Sequence, residues 1–221
     1  MEKQSLMTIF AHQDDETFSA GGILAKYATL DGAYAVTVTA DPKREKEFVD
    51  ACDILGAEPI QLPNTAVNPH NINQIKQQII EAIRKKEPSH IITHLDYDYH
   101  HEHRLVREIV TEAVEWVSHT TGDTKAVQIQ SLWAAETTIL IPFPQIFVDI
   151  SPFNDQRMKA ITCYESQSHK GGDGFYSDFH GTRTKLRGIQ AAVEHAEAYV
   201  QIPIAHAGSF KPTKVFKQLP Y

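Results

Sequence analysis

Residues 6–27 read LMTIFAHQDDETFSAGGILAKY. Leu6–Phe10 is a short apolar run of strand length, and it stops at Ala11-His12-Gln13-Asp14-Asp15-Glu16, a polar loop with one imidazole and three carboxylates. Over residues 17–30 the apolar side chains of Phe18, Ile23, Leu24 and Tyr27 fall on one helical face, and Gly32 follows as a helix-ending glycine. The stretch therefore predicts a buried strand, a chemically loaded loop and a helix, in that order.

The same unit recurs down the first half of the chain. Residues 34–39 (YAVTVT) are β-branched and strand-like, residues 43–55 are helical up to Gly56, and residues 60–62 form a short strand. Residues 71–86 place Ile72, Ile75, Ile79 and Ile83 at helical spacing and end at Glu87-Pro88. Residues 89–93 are again a strand, which runs into His94-Leu95-Asp96-Tyr97-Asp98-Tyr99-His100-His101-Glu102-His103 before a helix over residues 104–118. Four successive strand-then-helix units predict an α/β, Rossmann-like fold, with a mostly parallel sheet, right-handed crossovers and helices on both faces. In such sheets ligands bind at the carboxyl ends of the strands, where the strand order reverses. Both loaded loops follow strands, so a metal site is expected at that end, across one crevice.

Beyond residue 120 the rhythm changes. Residues 128–133, 138–141 and 146–150 are strand candidates, punctuated by Pro142 and Pro144. Residues 153–164 and 182–199 read as helices, and residues 168–181 (SHKGGDGFYSDFHG) between them read as a long mobile loop able to act as a lid. With no internal repeat or linker, residues 1–221 are expected to form a single domain.

Composition narrows the function classes. Acidic groups number 28 against 21 basic ones, for a net charge of −7, which is the wrong sign for a nucleic-acid binder that neutralises phosphates. No apolar run has membrane-span length, and the N-terminal apolar stretch is too short for a signal peptide. The 2 cysteines offer no disulfide framework, so a cytoplasmic protein is expected. Among 12 histidines, His100, His101 and His103 crowd into one loop.

Each loop alone has an ordinary reading, an acidic helix cap or a surface histidine cluster. Together they meet the needs of a catalytic zinc ion, which takes about three nitrogen or oxygen ligands plus a water. His12, Asp15 and His103 are candidate ligands, Asp14 a spare carboxylate to accept the water's proton, and His100 a spare imidazole for the oxyanion or the leaving group. Glu102 is placed to hold an imidazole in one tautomer. The loop lacks GxGxxG or P-loop glycines for a nucleotide, and the chain lacks the GxSxG of a serine hydrolase.

These residues resemble the LmbE/PIG-L family of zinc-dependent N-deacetylases. Its first motif, (P/A)HPDDE, corresponds to residues 11–16, and its second, HPDHR, to His100-His101-Glu102-His103-Arg104. Phe18-Ser19-Ala20-Gly21-Gly22, Arg44 and Glu47 with Leu55-Gly56, Arg157 and Ala160 with Ser166-Gln167, and Gly188 with Ala196-Glu197-Ala198-Tyr199 match further family segments. The resemblance implies that His12, Asp15 and His103 bind zinc, Asp14 is the general base, His100 acts on the oxyanion or as acid, and Glu102 orients that chemistry. It further implies that Ser19 and Arg44 touch the substrate. Size, acidic balance and the AEAY ending are most similar to the Bacillus-type deacetylases of bacillithiol biosynthesis, which act on N-acetylglucosaminyl malate. A homo-oligomer would be in keeping with so small an enzyme. Gln13 and His101 replace the two motif prolines and remove two fixed φ angles, Glu102 replaces Asp, and Tyr164 stands where a His is common. His101 is therefore a rival ligand to His103. The competing reading is a metal- or sugar-binding protein in which these departures have ended catalysis.

Overall fold

The structure, a computed structural model, describes residues 4–119, 125–168, 174–204 and 217–218. The first half follows the expected alternation: β1 (Leu6–Phe10), α1 (Asp15–Ala28), β2 (Ala33–Thr39), α2 (Glu45–Leu55), β3 (Glu58–Asn64), α3 (Ile72–Lys86), β4 (His90–Thr93) and α4 (His101–Val117). Then come β5 (Ser131–Ala135), β6 (Ile146–Asp149), α5 (Asn154–Ile161), the single turn α6 (Glu165–Ser168), α7 (Phe175–Ala191), β7 (Ala196–Gln201) and the two-residue β8 (Lys217–Gln218).

The strands form one mixed sheet in the order β3-β2-β1-β4-β5-β7-β6-β8. The five strands from β3 to β5 are parallel, and β7, β6 and β8 are added antiparallel. The chain moves outward from β1 to β2 and β3, then returns to place β4 on the other side of β1, in register Leu6↔His90, Met7↔Ile91, Thr8↔Ile92. The carboxyl ends of β1 and β4 are thus adjacent at the point where the strand order reverses.

Period-two alternation divides the core. Leu6 and Phe10 of β1 face a layer with Ile23, Leu24 and Phe48 from α1 and α2. Met7 and Ile9 face the opposite layer, with Ile75, Ile79 and Val106 from α3 and α4. Among the described residues no helix is long and apolar enough to cross a membrane.

The second half departs from the sequence pattern in three places. Residues 138–141 are not a strand; the Ile141 amide instead donates to the buried Glu136 carboxylate at 2.7 Å, which pins the segment as a loop. The expected loop over residues 168–181 is already helix from Phe175, after Gly174 at φ 80°; residues 169–173 lie outside the described residues. The expected helix over residues 182–199 stops at Ala191, and residues 196–201 are the strand β7. The chain turns back over Gly188, where an added Cβ would lie 2.4 Å from the Glu194 carbonyl oxygen, so only glycine fits beneath the turn that follows the helix.

Candidate metal centre and cleft

The loop after β1 is fastened to its neighbours by backbone groups. The Ala11 carbonyl accepts from the Thr39 amide (2.9 Å) and hydroxyl (2.8 Å), and the Ala11 amide donates to His94 Nε2 at 2.8 Å. Gln13, 1 % exposed, replaces the motif proline with hydrogen bonds: its Oε1 accepts from the Asp41 amide (2.8 Å) and its Nε2 donates to Gln61 Oε1 (3.1 Å). Asp14, the N-cap of α1, sits at φ 124°, ψ −37°, a strained backbone position. Its amide is held by Glu16 Oε2 at 3.0 Å, and Tyr164 donates its hydroxyl to Glu16 Oε1.

The two loops bring three donor atoms together. His12 Nδ1 and His103 Nε2 are 3.1 Å apart, and Asp15 Oδ2 lies 3.4 Å from the first and 3.3 Å from the second. A tetrahedral ion with bonds of about 2.0–2.1 Å requires ligand-to-ligand edges of about 3.3–3.4 Å, so this triangle has the size of one face of such a polyhedron. The outer nitrogens of both imidazoles meet carboxylates. His12 Nε2 is 2.6 Å from Glu102 Oε2, and His103 Nδ1 is 3.1 Å from Asp98 Oδ2. Glu102 is steadied by the Val67 amide (2.7 Å), and Asp98 by the Thr137 hydroxyl (2.5 Å) and the His100 amide (2.9 Å). These contacts turn both inner nitrogens toward Asp15.

The charges agree with a cation at this point. Burial disfavours the charged His12 imidazole, but hydrogen bonds to Asp15 and Glu102 outweigh it and lift His12 to about 9. Burial opposed by Asp15 and Asp98 leaves His103 at about 10. Asp98 falls to about 2, because His103 and Thr137 overcome its burial, and Glu102 falls to about 2 chiefly through its bond to His12. Asp14 moves the other way: burial and the neighbouring Asp15 charge hold it well above the usual carboxylate range, despite Arg44. Burial, then the charges of His103 and His12, depress His100.

A cleft of about 170 Å³ opens beside the triangle. His12, Asp14, Asp15, His100 and His103 all line it, as do Ser19 and Arg44. Arg44 donates to Asp14 Oδ2 at 3.1 Å and to the Gln13 carbonyl at 3.3 Å, so its guanidinium holds the candidate base. His100 packs against both imidazoles of the triangle, with ring centroids 4.8 Å from His12 and 4.7 Å from His103. His101 is exposed on the first turn of α4 and stands outside the triangle. His94 is fully buried beneath His103, and its Nε2 lone pair is engaged by Ala11. Tyr99 lines the cleft. Sequence reasoning did not single out Asp98, Thr137, Tyr176 or His180. Of these only Asp98 carries a local signal, the Asp-x-His turn closed by its own carboxylate.

The remaining motif residues form one buried network under the cleft. Helix α1 breaks at Ala20 (φ −145°, ψ 19°), which frees the Phe18 carbonyl to accept from Arg157 at 3.1 Å and from Arg183. Helix geometry resumes with the Gly22 and Ile23 amides donating to the two oxygens of Glu197, at 2.8 and 2.9 Å. Tyr199 donates to the same carboxylate at 2.8 Å, and Arg157 Nε lies 3.4 Å from it. A Cβ on Gly22 would lie 2.7 Å from Ile150, so the close approach requires glycine there. At the surface, Glu47 accepts from the Ser166 amide (2.8 Å) and hydroxyl (2.6 Å).

Residues 7–114 match the family model described as PIG-L: GlcNAc-PI de-N-acetylase. The match to PIG-L covers just under half of the chain, from β1 through α4, and includes both loops of the triangle. Three solved structures share the fold over nearly the whole chain. The conserved protein TT1542 from Thermus thermophilus is 22 % identical with a TM-score of 0.78, over 90 % of this chain and 95 % of that one. GalB, the 4-carboxy-2-hydroxymuconate hydratase from Pseudomonas putida, is 20 % identical with a TM-score of 0.77, over 90 % and 96 %. The N,N′-diacetylchitobiose deacetylase from Pyrococcus horikoshii is 19 % identical with a TM-score of 0.75, over 91 % and 85 %. The chain thus has the α/β fold of the LmbE/PIG-L deacetylases, a fold that also carries a hydratase.

Proposed function

We propose that the protein is a metal-dependent N-deacetylase of the LmbE/PIG-L kind that removes the acetyl group from an N-acetylglucosaminyl substrate. The observation that carries this reading is the triangle of His12 Nδ1, Asp15 Oδ2 and His103 Nε2, with edges of 3.1–3.4 Å, at the wall of a cleft that Asp14 also lines. The match of residues 7–114 to PIG-L supports the same reaction class. Two nitrogens and one carboxylate oxygen suit zinc, and other divalent ions that accept this donor set. A divalent ion held there would lower the pKa of a water to about 7 and polarise the acetyl carbonyl.

The chain's own groups do the rest. Asp14, raised in pKa and steadied by Arg44, accepts a proton from the attacking water. His100, against both imidazoles of the triangle, offers an N–H to the acyl oxygen as it gains charge, and the proton that Asp14 took from the water passes to the leaving amine, directly from Asp14 or by way of His100. Glu102 and Asp98 meet the outer nitrogens of His12 and His103, so each inner nitrogen faces the place where an ion would displace its proton. Residues 1–221 act as one cytoplasmic domain on a small molecule. The substrate favoured is N-acetylglucosaminyl malate, for which Arg44, with a guanidinium in the cleft, is the candidate cation.

Primary-amine release would be measured on metal-stripped protein with and without zinc. The substrates are N-acetylglucosaminyl malate, N-acetylglucosamine and diacetylchitobiose. Zinc-dependent release is expected, greatest with the malate conjugate. Equal rates on all three would overturn the malate assignment. No release from any, with metal-dependent hydration of an unsaturated carboxylate instead, would overturn the deacetylase reading.

A further inference from the structure

The cleft contains polar atoms that the proposed chemistry does not use. His180, on α7, is 1 % exposed and lines the cleft, yet neither of its ring nitrogens has a hydrogen-bond partner among the described residues. Ser19 Oγ, 2 % exposed and also in the cleft wall, is likewise without a partner among them. Buried polar atoms are nearly always paired, so three unpaired ones at one cleft wall mark a place where a ligand supplies the partners. The ring of His180 is fixed by its neighbours. It stacks on Phe18 at 4.7 Å with an interplanar angle of 2°, and Tyr176 lies parallel to both rings, 5.3 Å from Phe18 and 5.9 Å from His180. Phe18 is anchored in turn, because its carbonyl accepts from the buried Arg157 and Arg183.

We propose that His180 is a substrate-recognition residue, which with Ser19 forms a donor–acceptor subsite for a hydroxyl of the sugar ring that carries the acetamide. A neutral imidazole offers one donor and one acceptor, the pairing a hydroxyl can satisfy and a carboxylate cannot. Burial, with Arg183 and Arg157 nearby, keeps this imidazole neutral. The subsite therefore selects a neutral, hydroxylated ring and leaves any anionic aglycone to other groups. This inference rests on the deacetylase reading for its substrate class.

The test compares wild type, His180→Phe and His180→Gln on an N-acetylglucosamine conjugate and on N-acetylcyclohexylamine, whose ring has no hydroxyls. His180→Phe keeps the stack and removes the polar atoms. Its KM for the sugar should rise about tenfold or more, with kcat little changed, and the preference for the sugar over the cyclohexyl amide should fall by the same factor. His180→Gln should restore part of it. Zinc content should not change, and the Tm of His180→Phe should rise, because an unpaired buried group has been removed. An unchanged KM for the sugar, or a lower Tm with loss of zinc, would overturn the proposal while the deacetylase reading stands. If wild type releases no amine at all, that reading fails, and saturation-transfer NMR with N-acetylglucosamine decides on His180. Binding lost in His180→Phe supports the subsite; equal binding, or none by wild type, overturns it.

Discussion

Replacing Glu102 tests how far the candidate metal centre depends on a group outside the donor triangle. Glu102 Oε2 is 2.6 Å from His12 Nε2, and Oε1 accepts from the Val67 amide at 2.7 Å. The carboxylate thereby holds the proton on Nε2 and directs Nδ1 toward Asp15 and His103. Glu102→Gln keeps the length but not the charge. If its oxygen takes the His12 proton, its NH2 confronts the Val67 N–H. Exchanging a charged for a neutral hydrogen bond, and leaving Val67 unpaired, amounts to about 1.5–3 kcal/mol. If that falls on the metal-bound state, zinc Kd rises by about 10- to 150-fold, in line with the 10- to 100-fold typical of such outer contacts. Glu102→Asp restores the residue of the resembled motif but shortens the arm by about 1.5 Å. It can keep one of the two bonds, and its Kd should lie between wild type and Glu102→Gln. The assay is competition with a chromophoric chelator at pH 7.5, with the Tm of the metal-free proteins as a control for folding. A Glu102→Gln protein with unchanged metal-free Tm and a Kd within about threefold of wild type would refute the reasoning.

Asp14→Asn should lower kcat by about 10²- to 10⁴-fold with zinc content retained, because Asp14 lines the cleft without entering the triangle; kinetics and metal analysis on the same sample check this. Glu197→Gln should destabilise the fold by about 3–5 kcal/mol in urea unfolding, since one charged bond is lost and the Ile23 amide is left unpaired; a change under about 1 kcal/mol would remove Glu197 as the cap of the broken helix. His90 is pushed down to about 4 by burial, from a free value of 6.5. A depressed folded-state pKa means that its contribution is whole above pH 6.5 and is lost as the pH falls toward 4, a loss of about 3 kcal/mol. His90→Gln should therefore flatten the decline in unfolding free energy across that window, and parallel wild-type and variant curves would show that His90 is not the group responsible.

Much of the fold was legible because the first half is locally consistent. Apolar runs of strand length alternate with amphipathic helices, and Gly56 and Glu87-Pro88 mark real helix ends. The second half was less so because its interior is polar. Helix α7 buries His180, Arg183 and Arg187, which do not give an apolar stripe, and Arg187 is satisfied by Glu136, 51 residues away. Residues 196–199, AEAY, have good helix formers, yet they lie in the sheet between β5 and β6. The tie of Glu197 to the broken helix α1 spans 175 residues, and no window of sequence contains both partners.

The sequence by itself determined which donor types stand in the two loops. The residue types and their spacing in two loops put imidazoles and carboxylates next to strand ends, and these are donor types that suit a divalent ion. Tertiary structure decided which atoms converge and which ring nitrogen of each imidazole faces inward. His12 and His103 are 91 residues apart, and they meet because β4 returns to pair with β1. The carboxylates of Glu102 and Asp98, each against an outer ring nitrogen, then turn each imidazole inward. Spacing along the chain encodes neither of these, because both depend on distances across the sheet.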